Sequence, residues 1–288
     1  MNSNPAIFDR TLMRLRQARA LAYGPETFLI DRVAADLGDR LEAVLRTFER
    51  AADIGTPTDA VRRALTVSGK VINITGGADV IGDDEVLPFA EGSLDLAVSA
   101  LALQFVNDLP GTLIQIRRAL KPDGLLLAAM LGGDTLTELR EAFAEAESEI
   151  DGGVSPRVAP FADVRAIGGL LQRAGFALPV VDTDRLTVRY DNVFALMRDL
   201  RRMGATNILL ERRRTPLKRA TLLRMAEIYT KRFADPDGRL RATFEVVWLS
   251  GWTPHESQQK PLKPGSATQR LADALGAKEI STGEKPDA

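Results

Sequence analysis

The spacing of hydrophobic and polar positions predicts strands and helices that alternate along most of the chain. Short apolar and β-branched runs, bounded by turn-forming residues, predict the strands. They are residues 50–54 (RAADI), 70–74 (KVINI), 93–101 (SLDLAVSAL), 125–131 (LLLAAML), 180–190 (VVDTDRLTVRY) and 242–252 (ATFEVVWLSGW). Because helical segments separate the early strands, we expect a doubly wound, mostly parallel sheet. The last two strands suit an antiparallel hairpin at its edge.

Apolar residues spaced by three or four positions predict the helices. Two or three of them fill residues 7–48, and the segment LPGTLIQIRRALKPDG carries another, with Pro110 near its start. Further helices are predicted over the segments DTLTELREAFAEAESEI, with Asp134 as an acidic cap, and FADVRAIGGLLQRAGF, ending at Gly175, and around residues 192–203 and 216–233. The last two form an insertion before the final strand.

Composition is that of an ordinary globular protein, and it excludes several kinds of chemistry. Of the 288 residues, 45% are hydrophobic and 27% are charged, and the net charge is −1. The chain has no cysteine, which excludes disulfides, thiolate metal sites and thiol nucleophiles. The single histidine, His255, excludes multi-histidine metal sites, so we expect no metal.

Charge is balanced overall but unevenly placed. Residues 134–151 hold seven acidic residues against Arg140, and residues 198–232 hold eleven lysines or arginines against three acids. The basic stretch has two interpretations: a face for an acidic partner, or helix faces that are solvated or paired with the acidic helix. Tyr229 is the only aromatic residue within it, which argues against stacking on nucleic acid bases.

The N-terminal region is Arg-rich but lacks the apolar core of a signal peptide. Its arginines suit a mitochondrial transit peptide or an amphipathic helix docked on the core, and continuity with the next segments favours the docked helix. No run of about 18 apolar residues occurs, so no membrane span is predicted. We expect a cytoplasmic, bacterial protein.

The segment ADIGTPTDAV, residues 52–61, resembles the start of a nucleotide-type cofactor loop after a parallel strand. Glycines let such a loop adopt positive φ and approach a ligand, whereas proline fixes φ and removes an N–H donor. Thr56, Pro57 and Asp59 also match the cap, first position and third position of a helix that satisfies its own N–H groups. Such a helix would leave fewer donors for an anionic ligand.

The segment LPFAEGSLDLAVSALALQFVNDLPGTLIQIRRALKPDGLLLAAMLGGDTLTELREAFAEAE resembles the class I S-adenosylmethionine-dependent methyltransferases of the methyltransferase-11 type. GGVSPRVAPFADVR, LMRDLRRMGATN, ATFEVVWLSGW and SQQKPLKPGSA resemble the complex I assembly factor 5 group more narrowly. The resemblance covers residues 6–276 and implies a seven-stranded, Rossmann-like sheet with the cofactor over the carboxyl ends of its strands. The group's eukaryotic members are associated with hydroxylating an arginine of a complex I subunit.

The resemblance places the first cofactor motif on Asp53 and Gly55, while Pro57 and Asp59 replace its later glycines. It places the acid that would hold the ribose hydroxyls at Asn73, which has no carboxylate. The cofactor motif is therefore degenerate. Binding of S-adenosylmethionine in the family's manner is expected to be impaired.

Other positions match the family better. The adenine-side motif falls on Asp83 and Asp84, although acids at these positions suit a solvated loop equally well. Strand four matches at Ser99, and Gln104 and Phe105 stand where relatives carry histidine and tryptophan. These residues complete the set of candidate cofactor contacts, and no catalytic residue is assigned.

The segment between Asn73 and Asp83 is too short for a usual crossover, which needs at least about ten to twelve residues. One crossover helix is therefore expected to be missing. The chain divides into an N-terminal helical cap (1–48), a methyltransferase-like core (49–191), a helical insertion or lid (192–241), a final edge strand (242–255) and a mostly flexible tail (256–288).

Two main functions remain open. One is a methyltransferase-fold protein, a pseudoenzyme or assembly chaperone, that binds a complex I subunit or an intact relative. The other is an active methyltransferase or arginine-modifying enzyme with a remodelled pocket. Candidate contacts to the substrate or partner are Arg157, Arg201, Asn207, Arg212, Arg213 and Arg214. Local capping and turn bonding explain Arg157 and Asn207 equally well.

Overall fold

The computed structural model describes residues 6–65, 70–74 and 82–259, together with residue 276. The chain divides into two compact units, Met1–Pro254 and His255–Ala288. In the second unit, His255 is exposed and its Nδ1 lies 2.7 Å from Oγ of Ser257. Apart from residues 256–259 and 276, the predicted flexible tail lies outside the described residues.

The first unit holds one six-stranded sheet in its described residues, in the order β2-β1-β3-β4-β6-β5. The strands are β1 (Arg50–Ile54), β2 (Lys70–Ile74), β3 (Leu94–Ala100), β4 (Leu120–Leu131), β5 (Ala177–Tyr190) and β6 (Leu240–Trp252). Strands β1 to β4 pair in parallel, while β6 runs antiparallel to both β4 and β5. The predicted Rossmann-like sheet with an antiparallel edge hairpin is confirmed.

The order of strands within that hairpin differs from the prediction. Strand β6 lies between β4 and β5, so the prediction that residues 242–255 form an edge strand is wrong. The edge is β5, whose register shifts between Ala177 and Val180 and whose Leu178 has a φ of 49°. Burial explains why β6 rather than β5 lies beside β4: most residues of β6 are buried, while residues of β5 alternate between half-buried and exposed.

Helices cover both faces of the sheet. They are α1 (Arg10–Ala22), α2 (Phe28–Glu42), α3 (Ala60–Ala64), α4 (Leu109–Ala119), α5 (Thr137–Asp151), α6 (Val164–Arg173), α7 (Val193–Arg202) and α8 (Arg219–Phe233). Alternate residues of β4 face opposite sides: Leu125 and Leu127 join the cluster that contains α2, while Leu126 and Ala128 join that of α4 and α6. The apolar run of β4 is therefore buried on both faces, as a central parallel strand requires.

The acidic and basic stretches pair with each other across α5 and α8. Arg224 contacts Glu149 at 2.6 Å, and Arg232 reaches Glu141 at 2.5 Å and Glu145 at 3.0 Å. These side chains are partly exposed and screened by solvent, so each pair contributes little to stability. Their arrangement supports the interpretation that much of the basic stretch serves the fold itself.

Helix α5 does not begin at Asp134 as predicted. It starts at Thr137, after Leu136, whose φ is 53°. The cause lies in strand β6: the Gly132 N–H donates to the Glu245 carbonyl at 2.8 Å, and the Leu136 N–H donates to the Thr243 carbonyl at 2.7 Å. These bonds hold the chain beside β6 before the helix can start.

Two other predictions reach beyond the described residues. Residues 75–81 lie outside them, and with them the segment in which a crossover helix was expected to be missing. The described residues form six of the seven strands that the resemblance implies. The division into cap, core, insertion and tail stays a prediction.

Leu37 tests how strongly α2 holds the sheet, because its side chain is fully buried in the cluster that covers one sheet face. We expect Leu37→Ala to lower the free energy of unfolding by about 2–5 kcal/mol, through lost burial and the cavity left behind. Leu45→Ala is the matched control, since Leu45 is 96% exposed, and it should change little. Urea denaturation measures both, and equal effects would contradict this account of the core.

Candidate functional site

The loop after β1 turns tightly at the carboxyl end of that strand. Gly55 has a φ of 78°, and a Cβ atom there would lie 2.9 Å from Cβ of Ala102 and 3.2 Å from a carboxylate oxygen of Asp84. A positive φ and this close approach together favour glycine. Gly55 thus serves contacts within the protein, whatever it does for a ligand.

Asp53, near the end of β1, and Thr56, in the loop that follows, form a buried hydrogen-bonded pair. The Thr56 hydroxyl donates to the Asp53 carboxylate at 2.5 Å and accepts from the Ala100 N–H at 3.0 Å. Burial raises the pKa of Asp53 to about 7, and the hydrogen bonds from Thr56 oppose that rise. The pair joins β1 to the end of β3 and places a carboxyl group that titrates near neutrality in the core.

The predicted helix cap at Thr56 is wrong, because that hydroxyl is already engaged with Asp53 and Ala100. Helix α3 begins only at Ala60, and Asp59 precedes it without a side-chain capping bond. The Thr58 hydroxyl instead accepts from the Ala60 N–H at 3.3 Å. The short helix therefore does not satisfy its own N–H groups in the way the sequence suggests.

Ser99 and Asn73 lie on the strands that flank β1. The Ser99 hydroxyl donates to the Ile54 carbonyl at 2.6 Å, so it links β3 to β1 inside the sheet. Asn73, the position at which the resemblance places an acid, is paired in register with Asp53, and its side chain lies outside the described part. The strand register therefore brings Asn73 beside the loop that carries Gly55.

Asp83 and Asp84 are bound by arginines of α1. Arg10 makes a buried ion pair with Asp84, lies 3.1 Å from Asp83 and donates to the Phe105 carbonyl at 3.2 Å, while Arg14 reaches Asp83 at 2.5 Å. Burial alone would raise the pKa of Asp83, but a hydrogen bond from the Glu85 N–H and the two arginines lower it. The interpretation as a solvated loop is wrong for Asp84, which is only 3% exposed, whereas the Asp83 side chain is 37% exposed.

The segment before α1 is fixed at the same place. The Asn107 side chain accepts hydrogen bonds from the N–H groups of Ile7 and Phe8 at 2.7 and 2.8 Å, and the Phe8 ring meets the Phe105 ring edge-on. Gly204, where a Cβ would lie 3.1 Å from Cα of Gln17, lets the end of the α7 segment pack closely on α1. Helix α1 is thus docked over the strand ends.

A cavity of about 290 Å³ lies under α1, at the carboxyl ends of β3 and β4. Pro57 and Thr58 reach it from the loop after β1, and Leu101 and Leu136 line it with positive φ angles of 53° each. Non-glycine residues in this conformation are strained, and such strain concentrates at functional sites. Ligands of open α/β sheets bind at this same end of the strands.

Gln104 is the predicted cofactor contact that lies on this cavity. It is only 7% exposed, and its Nε2 donates to the Leu101 carbonyl at 2.7 Å. Its Oε1 is buried without a hydrogen-bond partner among the described residues. Since an unsatisfied buried acceptor costs about 1–3 kcal/mol, Gln104 offers a ligand a group that gains from a hydrogen-bond donor.

Three predicted partner contacts also line the cavity: Arg157, Arg201 and Asn207. Arg157 donates from Nε to the fully buried carboxylate of Glu147 at 2.7 Å. The Asn207 Nδ2 donates to the Pro156 carbonyl at 2.7 Å, which fixes the loop beside Arg157. Arg201 is exposed and has no hydrogen bond or ion pair to a described side chain.

The predicted arginines at 212–214 lie away from the cavity lining and differ from one another. Arg212 contacts the Asp9 carboxylate at 3.2 Å and the Leu209 carbonyl at 2.7 Å. Arg213 and Arg214 are both exposed, and Arg213 lies 3.5 Å from the buried carboxylate of Asp151. Arg212 and Arg213 therefore make ion pairs within the fold, and Arg214 is exposed without an ion pair among the described residues.

The sequence did not indicate the role of Arg10, Glu147 or Leu136. Arg10 lies in the Arg-rich N-terminal segment, but nothing in the local pattern links it to acids more than seventy positions away. Glu147 belongs to an acidic helix in which the side chains of Glu141, Glu145 and Glu149 are more than 40% exposed, so acidic residue type alone does not indicate its burial. The positive φ of Leu136 has no signal in residue type, because leucine rarely adopts it.

Within the described residues, no helix is long and apolar enough to cross a membrane, and no cluster of acidic or histidine side chains could hold a metal ion.

Asp53 predicts a specific pH dependence of stability. An acid whose pKa rises on folding, here from 3.8 to about 7, binds more protons in the folded chain between those values. Its contribution to the free energy of unfolding therefore falls as pH increases from about 4 to 7. We expect Asp53→Asn, which keeps an acceptor for Thr56, to gain melting temperature relative to the unmodified chain as pH rises from 5 to 7.5.

The control for this titration is Asp191→Asn, which removes the same charge from an exposed position. Thermal melts across the pH series measure both variants. If the difference in melting temperature between Asp53→Asn and the unmodified chain stayed constant from pH 5 to 7.5, the Asp53 carboxyl would not titrate in that range.

Residues 43–128 match the family described as "Methyltransferase domain". The human protein named "Arginine-hydroxylase NDUFAF5, mitochondrial" is 40% identical over 284 residues, covering 91% of this chain and 81% of its own. A "Malonyl-[acyl-carrier protein] O-methyltransferase" of Gallionella capsiferriformans is 35% identical over 280 residues, covering 87% of this chain and 93% of its own.

Solved structures support the fold alone. A candidate methyltransferase from Bacillus halodurans superposes with a TM-score of 0.52 at 18% identity. The match covers 77% of this chain and 99% of the other. The relatives of high identity decide the family more narrowly. The chain belongs to the complex I assembly factor 5 (NDUFAF5) group of the class I methyltransferase fold.

Proposed function

We propose that this protein binds, or acts on, a protein partner in the assembly of respiratory complex I, with impaired or lost binding of S-adenosylmethionine. Identity of 40% over most of the length of the human NDUFAF5 protein supports the assembly role. The observation that carries the second half is the position of Arg10. Its guanidinium forms ion pairs with Asp83 and Asp84, the two acids that the family resemblance assigns to the adenine side of the cofactor.

The Arg10 cluster is difficult to open. The Arg10 side chain is 11% exposed and that of Asp84 is 4% exposed, so both charges are largely desolvated. Removing one member of such a pair typically costs about 3–5 kcal/mol, because the other charge stays buried. A ligand that displaced Arg10 would have to break this pairing, which opposes its binding.

The other cofactor positions fit no better. Pro57 lines the cavity where a glycine N–H is expected, and Asn73 stands beside Asp53 without a carboxylate. Gly55 is packed against Ala102 and Asp84. The residues present thus do not fit S-adenosylmethionine in the family's manner, and we derive no reaction step through it.

The cavity favours a second candidate, an active methyltransferase or arginine-modifying enzyme with a remodelled pocket. Its volume, its place at the strand ends and the unsatisfied Oε1 of Gln104 are those of a ligand site. Identity to a malonyl-[acyl-carrier protein] O-methyltransferase over most of both chains points in the same direction. Asp53, Ser99 and Asp83 do not line this cavity, so Gln104 is the predicted cofactor contact that a ligand there would meet.

A cytoplasmic, bacterial location stays part of the proposal, and the NDUFAF5 relatives are named as mitochondrial.

Titration with S-adenosylmethionine separates the two candidates. We expect no saturable heat and no change in melting temperature at millimolar cofactor, whereas a ligand at a hundred times its dissociation constant adds about 2.7 kcal/mol. A methyltransferase that binds the cofactor serves as the positive control. Saturable binding to the unmodified chain would contradict the proposal and favour the enzyme.

Capture of a complex I core subunit tests the partner role. We expect the tagged protein to retain such a subunit, and we expect Arg214→Glu to weaken that retention because Arg214 is exposed within the basic stretch. Arg165→Glu, an exposed arginine on α6, is the matched control. No capture would overturn the partner role, while capture that survives Arg214→Glu would move the interface elsewhere.

A further inference from the structure

We propose that the cavity under α1 binds a small amphipathic anion, with an apolar tail inside the cavity and a single anionic head group at Arg201. This inference goes beyond the proposed function and does not depend on whether S-adenosylmethionine binds. It rests on the apolar walls, on the pairing of the charged residues around them and on the position of Arg201.

The walls of the cavity are formed mainly by apolar side chains of several elements. Those that reach it from α1, α2, α5, α7 and the end of β4 include Met13, Leu29, Leu131, Leu139, Phe143 and Met197. At about 290 Å³ the cavity approaches the lower limit, roughly 300 Å³, of pockets that enclose small organic ligands. An unbranched alkyl chain suits such a space because it gains by leaving water.

The charged residues on the cavity differ in whether their charge is already matched. Arg157 is held by Glu147, and its guanidinium lies 5.3 Å from the centre of the Phe143 ring. Arg202 lies 3.3 Å from Glu26 and donates to the Gly24 carbonyl at 2.9 Å. Arg201 alone among these three arginines has no acidic partner in the described part of the chain.

The sign of the head group follows from this pairing. Glu26 is the one acidic residue among the described residues that line the cavity, and it is engaged by Arg202. A cationic ligand would therefore find no available carboxylate and would be repelled by Arg201. Because Arg201 is exposed while it lines the cavity, it lies at the opening, where a head group can stay partly hydrated while the tail is buried.

Four ligands with the same ten-carbon tail test the proposal: decanoate, decyl phosphate, decanol and decylamine, each below its critical micelle concentration. Calorimetry on the full chain should give the tightest binding for the anions, weaker binding for decanol and the weakest for decylamine. A preference between the two anions identifies the head group as carboxylate or phosphate. Binding of decanol or decylamine as tight as that of both anions would overturn the proposal.

Variants then place the anion. Arg201→Gln should weaken binding of the preferred anion by roughly two- to fivefold, the effect of an exposed charge pair, and leave decanol unchanged. The control is Arg198→Gln, one turn earlier on α7, exposed and outside the cavity lining. If Arg201→Gln bound the preferred anion as tightly as the unmodified chain, the head group would not lie at Arg201. An equal loss of affinity in Arg201→Gln and Arg198→Gln would also contradict that placement.

A third variant places the tail. Ala159 is a half-buried wall residue, and Ala159→Leu should weaken both the anions and decanol by filling the space that the tail needs. Its far-ultraviolet circular dichroism and melting temperature check that it folds. Unchanged binding to the folded variant would place the ligand outside this cavity. These measurements use no S-adenosylmethionine, so their failure leaves the proposed function unaffected.

Discussion

The buried ion pair between Arg10 and Asp84 is the interaction on which the arrangement of the site depends. It joins α1, at the start of the chain, to the segment that enters the sheet before β3. The same guanidinium holds the Phe105 carbonyl, next to the wall of the cavity. If α1 were released, the cavity would lose its roof and the acids beside Gly55 would lose their counter-charge. The covering of the cavity by α1 and the pairing of Asp83 and Asp84 thus have one cause, the position of Arg10.

This coupling relates the two candidate functions to each other. In a methyltransferase the strand ends must accept a cofactor and an acceptor together, side by side. Here the protein's own ion pairs hold Asp83 and Asp84, the acids that the family resemblance assigns to the cofactor, while the neighbouring cavity is mainly apolar and carries Arg201, which has no acidic partner among the described residues. The proposed impairment of cofactor binding therefore leaves the cavity itself available to a ligand.

Much of the fold could be predicted from the sequence because its signals are local. The apolar run of β4 and the β-branched KVINI segment each fix a strand by themselves. The order within the final hairpin could not be predicted, because it depends on which of two amphipathic strands finds the deeper burial. The start of α5 was misplaced for a similar reason: an acidic cap is visible in the sequence, but the bonds that tie residues 132–136 to β6 are not.

The site was predicted less completely than the fold. Gly55 and Gln104 are recognisable because residue type restricts what each can do at that place in the motif. The role of Arg10 depends on contacts with acids far along the chain, and no periodicity reports such contacts. Thr56 shows the opposite error, since its hydroxyl suits a helix cap equally well but meets Asp53 first.

The exposed edge strand β5 has a further consequence, for how the protein behaves in concentrated solution. A long strand with a free row of N–H and C=O groups is a template on which a second chain can pair. Strand β5 carries Asp182, Asp184, Arg185 and Arg189, and the backbone irregularity at Leu178 interrupts its regular pairing. Charges and a bulge at an edge both oppose such pairing. Because β6 lies inside the sheet and β5 at its edge, the strand at the edge is the one better able to resist aggregation.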